Sequence, residues 1–338
     1  MAAMNRQLRL AQRPVGMVDV DTFDLVETPI PELEGGQALV RMAYLSIDPT
    51  NRVWIREEPS YLPPVAIGEV MRGGGVGKVI ESRNDAYPVG ATVTGLLGWQ
   101  EHAVIGTDTL ARVVPEGVPM TAVLNALGSS GMTAYFGMID VAETKAGDTV
   151  VVSGAAGSVG SLAGQIGKIL GARVIGIAGT DDKCAWVAGE LGFDACINYK
   201  TEKVGARLDE LCPDGIDVYF DNVGGEILDA ALARLELNAR VAVCGTIAGY
   251  NTTDLHDPIY QYSNLVATRS RMEGFLVLDY LDRFEEGQIK IIEWVAEGRL
   301  QAREQIVDGI ERSPEALNML FTGGNTGKLL VKVDPDAE

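Results

Sequence analysis

The sequence predicts an α/β protein in which a doubly wound parallel sheet is joined to a smaller all-β domain. Three observations carry this. From residue 125 to 301, continuous apolar runs alternate with segments of helical period, as parallel strands covered by helices do. From residue 1 to 124 the chain instead consists of short alternating runs broken by Gly and Pro, the texture of strands joined by turns. From residue 302 to 338 that texture returns, so the chain is expected to come back and complete its first domain.

The elements follow in order. Residues 38–42, 77–81 and 91–96 read as strands, separated by turn residues such as Pro31, Pro63-Pro64, Gly73-Gly74-Gly75 and Pro88-Val89-Gly90. In the middle section, residues 149–153 hold the run Val150-Val151-Val152 and read as a strand buried on both faces. The next segment has apolar residues at 159, 162, 163, 166, 169 and 170, a helical spacing. Strands are then expected at 172–178, 195–197, 216–220, 240–244 and 274–278, and helices at 182–191, 202–211, 225–236 and 280–297. In the tail, strands at 304–307 and 327–333 flank a short helix at 314–321.

Composition narrows the function. The chain has 338 residues, with 28 Lys and Arg against 47 Asp and Glu, a formal charge of −19. So acidic a surface repels phosphate backbones and anionic lipid, which argues against nucleic-acid and membrane partners. Four cysteines (Cys184, Cys196, Cys212, Cys244) show no C-x-x-C spacing, and only His102 and His256 are present. This argues against both a disulfide framework and a zinc knot. Polar Asn5-Arg6-Gln7 follows the first residues, and no run of 18 apolar residues occurs, so a cytoplasmic protein is expected.

The most informative stretch is Ser153-Gly154-Ala155-Ala156-Gly157-Ser158-Val159-Gly160. It follows a strand and opens a helix, the context a dinucleotide fingerprint requires. Read as A-x-G-x-x-G, it has Gly157 where the backbone approaches a pyrophosphate and Gly160 where helix and strand pack closely. The helix N-terminus adds free N–H groups and the positive end of the dipole. A tight turn without ligand is the alternative. An NAD site places a carboxylate at the end of the second strand; here that strand ends Ile177-Ala178-Gly179. Asp181 and Asp182 read as first-turn helix residues, and Lys183 is spaced to reach a 2′-phosphate. Spacing therefore favours NADP over NAD, with a solvated Lys183 as the alternative.

Further motifs occur in order: Gly164-Gln165-Ile166-Gly167-Lys168, Leu191-Gly192-Phe193-Asp194, Asn198-Tyr199-Lys200 and Asp221-Asn222-Val223-Gly224-Gly225. Tyr44-Leu45-Ser46-Ile47-Asp48-Pro49 lies upstream and Gly327-Lys328 downstream. Together these resemble the zinc-independent medium-chain dehydrogenase/reductases of the prostaglandin reductase, curcumin reductase and alkenal double-bond reductase branch. Residues 58–61 with Pro63-Pro64-Val65 look closest to bacterial curcumin reductases.

The resemblance covers nearly the whole chain and implies a GroES-like β domain joined to a Rossmann domain. The boundaries would be 1–124 with 302–338, and 125–301. It implies NADPH as cofactor and a small hydrophobic α,β-unsaturated ketone or aldehyde as substrate. Gly157, Ser158, Val159 and Gly160 would hold the pyrophosphate, and Lys183 and Tyr199 the 2′-phosphate. Asn222, Cys244, Gly245, Thr246 and Tyr250 would line the ribose and nicotinamide. Phe275, Leu276 and Val277 would meet the carboxamide, and Asn325 would close over the cofactor. A homodimer paired through the strand near 274–278 is also implied. Zinc relatives carry Cys and His ligands where this chain reads Ser46-Ile47-Asp48 and Ile67-Gly68-Glu69, so no catalytic metal is expected.

Reduction of an activated double bond needs hydride at the β-carbon, a donor to the enolate oxygen and a proton at the α-carbon. Tyr61 and Tyr250 are the candidate donors, with the cofactor's ribose hydroxyl as the alternative. Many relatives carry tyrosine after Asp-Pro, whereas this chain has Thr50 after Asp48-Pro49. The same hydride geometry would serve a quinone reductase. A non-catalytic NADPH-binding protein or a methyltransferase would share the glycine turn.

Overall fold

The computed structural model describes residues 4–58, 60–252 and 259–337. The chain divides into two compact units, residues 1–124 with 304–338 and residues 125–303. The first unit opens with β1 (Met4–Leu10), β2 (Phe23–Pro29), β3 (Ala38–Ile47) and α1 (Thr50–Trp54). It continues with β4 (Gly74–Ser82), β5 (Thr92–Leu96), β6 (His102–Ile105), β7 (Ala111–Val113) and α2 (Met120–Leu124). The antiparallel pair β1–β2 has no clear sequence signature. The inward face of β1 mixes Leu8 and Leu10 with buried Asn5 and Gln7, which blurs the apolar alternation. Those amides are satisfied by Gln100 Oε1 and the His102 carbonyl.

The glycines at 73–75, expected to form a turn, instead lead into β4, which begins at Gly74. Close packing of this strand on β3 is what demands glycine. A Cβ on Gly77 would stand 2.2 Å from the Arg41 carbonyl oxygen.

The second unit comprises α3 (Ser129–Phe136), β8 (Thr149–Ser153), α4 (Ser158–Ile169), β9 (Arg173–Ala178), α5 (Asp181–Gly189) and β10 (Ala195–Asn198). It continues through α6 (Val204–Leu211), β11 (Ile216–Asp221), α7 (Gly225–Leu232), β12 (Leu235–Val243), α8 (Asn264–Thr268), β13 (Arg271–Gly274) and α9 (Phe284–Ala296). Its sheet has the order β10-β9-β8-β11-β12-β13, every neighbour parallel. This is a Rossmann arrangement, and the order reverses between β8 and β11. Alternate residues of the strands feed two cores. Val150, Val152, Val174 and Phe220 pack into one, and Val151, Ile175, Tyr219 and Val241 into the other. Sealing both faces makes these strands read as unbroken apolar runs.

The strand expected at 274–278 is displaced. The strand is Arg271–Gly274, all four residues exposed, and a 3₁₀ turn at Val277–Arg283 precedes α9. The apolar run after Gly274 marks a packing segment, in which the Phe275 ring meets Phe220 edge-on at 6.2 Å. An edge strand open to solvent has no need of apolar side chains, so the polar strand escaped the pattern.

The chain then returns to the first unit as β14 (Glu304–Asp308), α10 (Ser313–Thr322) and β15 (Lys328–Lys332). The sheet there has the order β14-β15-β3-β4-β5-β7, with β6 also paired to β3. β15 therefore lies inside the sheet, parallel to β14 and antiparallel to β3. Its first residue, Lys328, is 1% exposed and forms an ion pair with Asp48, whose other oxygen takes the Ser46 hydroxyl. Among the described residues no helix is long and apolar enough to cross a membrane.

Candidate functional site

The six parallel strands of the second unit all end on one side, and the expected cofactor residues there follow those ends. After β8 comes the glycine turn. Gly157 caps α4 in extended conformation with no side-chain cap, so the first N–H groups of that helix lack intrahelical partners. A Cβ on Gly160 would lie 2.3 Å from the Gly154 carbonyl oxygen. Only glycine lets the helix start so close to the turn. Ser158 Oγ donates to Asn125 Oδ1 at 3.0 Å, which holds the first helical residue against the start of the unit. Val159 follows it in the same first turn.

After β9, Thr180 caps α5 by accepting from the Lys183 N–H at 3.3 Å. Asp181 and Asp182 lie in the first turn of α5. The Asp181 carboxylate accepts from Asn198 Nδ2 at 2.6 Å. Tyr199 follows β10 and lays its ring beside Gly179, where a Cβ would stand 3.0 Å from Cε1 and 3.1 Å from the hydroxyl. The ammonium of Lys183 is half-buried and is held below the usual lysine range, first by loss of water and then by Lys200. Lys183 and Lys200 thus set two like charges near these strand ends, alongside the carboxylates of Asp181, Asp182 and Glu202. A bound phosphate would relieve the repulsion between the two lysines.

At the point where strand order reverses, Asn222 follows β11. Its backbone N–H donates to Ser153 Oγ at 2.8 Å and its Nδ2 to the Ser153 carbonyl at 2.7 Å. Cys244, Gly245 and Thr246 follow β12, with Cys244 N and Gly245 N donating to the Asp221 carbonyl at 2.8 and 3.1 Å. Loss of water around the Cys244 thiol, and the Asp221 carboxyl near it, push that thiol up to about 12, so it is no nucleophile at neutral pH. Tyr250 closes a 3₁₀ turn and folds back, its hydroxyl accepting from Thr246 N at 3.3 Å. Phe275, Leu276 and Val277 follow β13, half-buried.

Two expected residues belong to the first unit. Asn325 sits in the turn before β15, with its Nδ2 donating to the Gly327 carbonyl at 3.0 Å. Tyr61 is 45% exposed, its hydroxyl against that of Thr50 and its ring edge-on to Trp54 at 6.4 Å. Partial burial raises the Tyr61 phenol, a trend that contact with Thr50 opposes; at neutral pH it is a proton donor. His102 begins β6, and burial lowers its imidazole. His256 lies outside the described residues.

Sequence reasoning did not assign Lys200, Ser153 or Asp221. The first adjoins Tyr199 in a quoted motif, and the last opens the Asp-Asn-Val-Gly-Gly run, so both were within reach. Among the described residues no group of three or more His, Cys, Asp or Glu side chains could hold a metal ion.

Comparison with known proteins adds a second line. Residues 6–113 match a family described as the N-terminal domain of oxidoreductase, and residues 158–294 one described as zinc-binding dehydrogenase. The chain is 40% identical to the NADPH-dependent curcumin reductase of Escherichia coli (strain K12), over 98% of each chain. It is also 40% identical to the 2-alkenal reductase (NADP(+)-dependent) of Nicotiana tabacum, over 91% of this chain and 90% of the relative. The crystal structure of CurA in complex with NADPH from Vibrio vulnificus matches with a TM-score of 0.93 at 40% identity, covering 97% of this chain and 99% of that one.

Proposed function

Because the chain belongs to the medium-chain dehydrogenase/reductases, in the zinc-independent branch of curcumin, prostaglandin and alkenal reductases, we propose that it reduces activated carbon–carbon double bonds with NADPH. The substrates are small hydrophobic α,β-unsaturated ketones and aldehydes. The observation that carries the reading is the row of strand ends: a glycine turn at the switch point, with Lys183 one strand away and Tyr199 and Lys200 two strands away.

The residues present fit such a cofactor. The uncapped N-terminus of α4 and the bare backbone at Gly157 and Gly160 accept a pyrophosphate. Lys183 and Tyr199 take the 2′-phosphate, where a charge-assisted hydrogen bond contributes about 1.5–3 kcal/mol. Asn222 and the stretch Cys244-Gly245-Thr246 line the ribose and nicotinamide. Phe275, Leu276 and Val277 meet the carboxamide.

When bound, NADPH supplies the hydride that goes to the β-carbon. What remains for the protein is orientation and a donor to the enolate oxygen. Orientation alone contributes about 7–11 kcal/mol in well-aligned systems, so no strongly tuned acid is required. Tyr250, folded over Thr246, and Tyr61, held protonated beside Thr50, are the two donors. One such donor is worth roughly 2.7–4 kcal/mol.

The enzyme works as a cytoplasmic homodimer. Support comes from the open edge strand β13, whose residues are all exposed, and from exposed Tyr260, Tyr262, Val266 and Met272 in the second unit. Four free thiols suit a reducing compartment.

The test is NADPH consumption with alkenals, enones and quinones, with NADH as control. Rapid oxidation of NADPH by an enal or enone, and slow oxidation of NADH, is the expected result. Turnover with quinones alone would replace the substrate assignment, and no turnover with any electrophile would leave a binding protein. S-adenosylmethionine binding in place of NADPH would overturn the whole reading.

A further inference from the structure

At the switch point one side chain has more partners than its neighbours and no role in the reading above. Asp221 is 0% exposed. Its Oδ1 accepts from Ser153 Oγ at 2.9 Å, Tyr219 Oη at 3.0 Å, Val223 N at 3.1 Å and Gly224 N at 3.1 Å. Its carbonyl takes the N–H groups of Cys244 and Gly245. The loops so joined are also tied to each other, Ile247 N to the Asn222 carbonyl at 3.3 Å and Ala248 N to the Val223 carbonyl at 3.1 Å.

We propose that Asp221 is the positioning residue of the nicotinamide half of the cofactor site, its carboxyl oxygen clamping the ends of β8 and β11 to the loop that follows β11, while its main-chain carbonyl holds the start of the loop after β12. This rests on the reductase reading. Ser153 ends β8, Asp221 ends β11 and Cys244 follows β12, and these strands are neighbours in the sheet. The carboxyl sets the direction of Asn222 and, through the Asn222 and Val223 carbonyls, of Ile247 and Ala248. It acts through those residues and touches no reacting atom.

The other oxygen marks the residue as more than a convenient acceptor. Oδ2 is buried and has no hydrogen-bond partner among the described residues. A buried acid with an orphan oxygen is a cost to folding that an apolar side chain would avoid. Burial also holds this carboxyl above the usual aspartate range, while its four donors pull the other way. An acid retained here against its own desolvation is explained by what its four donors build.

The experiment separates the two ends of the cofactor. Affinity is measured for NADPH and for 2′,5′-ADP, a fragment that reaches the Lys183 end but carries no nicotinamide, together with the single-turnover rate of NADPH oxidation by an alkenal. Asp221→Ala should lower that rate at least twentyfold and weaken NADPH relative to 2′,5′-ADP, whose affinity stays within twofold of wild type. Asp221→Asn keeps one acceptor oxygen and should stay within about fivefold in rate.

A wild-type rate in Asp221→Ala would overturn the proposal. So would a parallel loss of both affinities, which is the mark of a merely structural role. Should Asp221→Ala fail to fold, Ser153→Ala removes one strand of the clamp. It should slow the rate at least fivefold with 2′,5′-ADP affinity unchanged, and an unaltered rate would sink the idea. If the wild type oxidises no NADPH, the function fails, yet the affinity ratio still reads the clamp.

Discussion

In the proposed reading, cofactor choice turns on Lys183. Its ammonium is already destabilised by burial and by Lys200, so a dianionic phosphate gains more here than at a solvated lysine. Lys183→Ala should raise the KM for NADPH by roughly 10–100-fold, the equivalent of about 1.5–3 kcal/mol, and leave the KM for NADH unchanged; steady-state kinetics with both cofactors decide it. The two tyrosines make a second prediction. Tyr250→Phe and Tyr61→Phe should each lower kcat for enone reduction by about tenfold while NADPH affinity holds. Full turnover in both would transfer the donor role to the ribose hydroxyl. Single residues also show where sequence reading stops. The glycine turn was legible because Gly160 answers a local steric demand at Gly154, six residues away. The Asp221 clamp was not, because its partner Ser153 is 68 residues distant and becomes a neighbour only through strand order.

Among elements, α4 begins under a tight steric demand. Gly160→Val would drive a side chain into the Gly154 carbonyl, so the turn must open, at a cost of about 1–3 kcal/mol by overpacking. Its fluorescence titration with NADPH should show at least tenfold weaker binding. The same helix is tied to the sheet by Asp194, which accepts from Lys168 Nζ at 2.8 Å and Val174 N at 2.7 Å. Partial burial pushes this carboxyl up, yet Lys168 and the Val174 N–H outweigh it and hold it below the usual aspartate range. Its contribution to stability is therefore complete above the unfolded aspartate pKa and is lost as pH falls through the folded value. Asp194→Asn should lower Tm at pH 7 and converge on wild type in strongly acidic buffer. At this scale the parallel strands were readable from Val, Ile and Phe runs. β1 and β13 were not, since one buries amides and the other faces water.

For the whole molecule, the cores respect the division of the chain. One set of buried residues runs from Ala126 to Leu300 and another from Val151 to Val241, both inside the second unit. The core of the first unit joins Leu8 to Val331 and so needs both ends of the chain. A fragment of residues 125–303 should therefore fold and bind 2′,5′-ADP without reductase activity. A fragment of residues 1–124 should not fold, because β3 would lose β15 along one side. Circular dichroism and calorimetric titration of the two fragments would test this, and a stable 1–124 fragment would contradict it.

The place of Lys328 has a consequence for synthesis. Its buried ammonium must reach Asp48 in the first unit, yet it leaves the ribosome 280 residues after that partner. The nascent chain thus carries an incomplete N-terminal sheet until residue 328 has emerged, by which point the second unit, which ends at residue 303, is already whole. The N-terminal sheet is finished only when β15 is threaded beside β3, so a chain stopped before residue 328 should hold the second unit whole and the first unfinished.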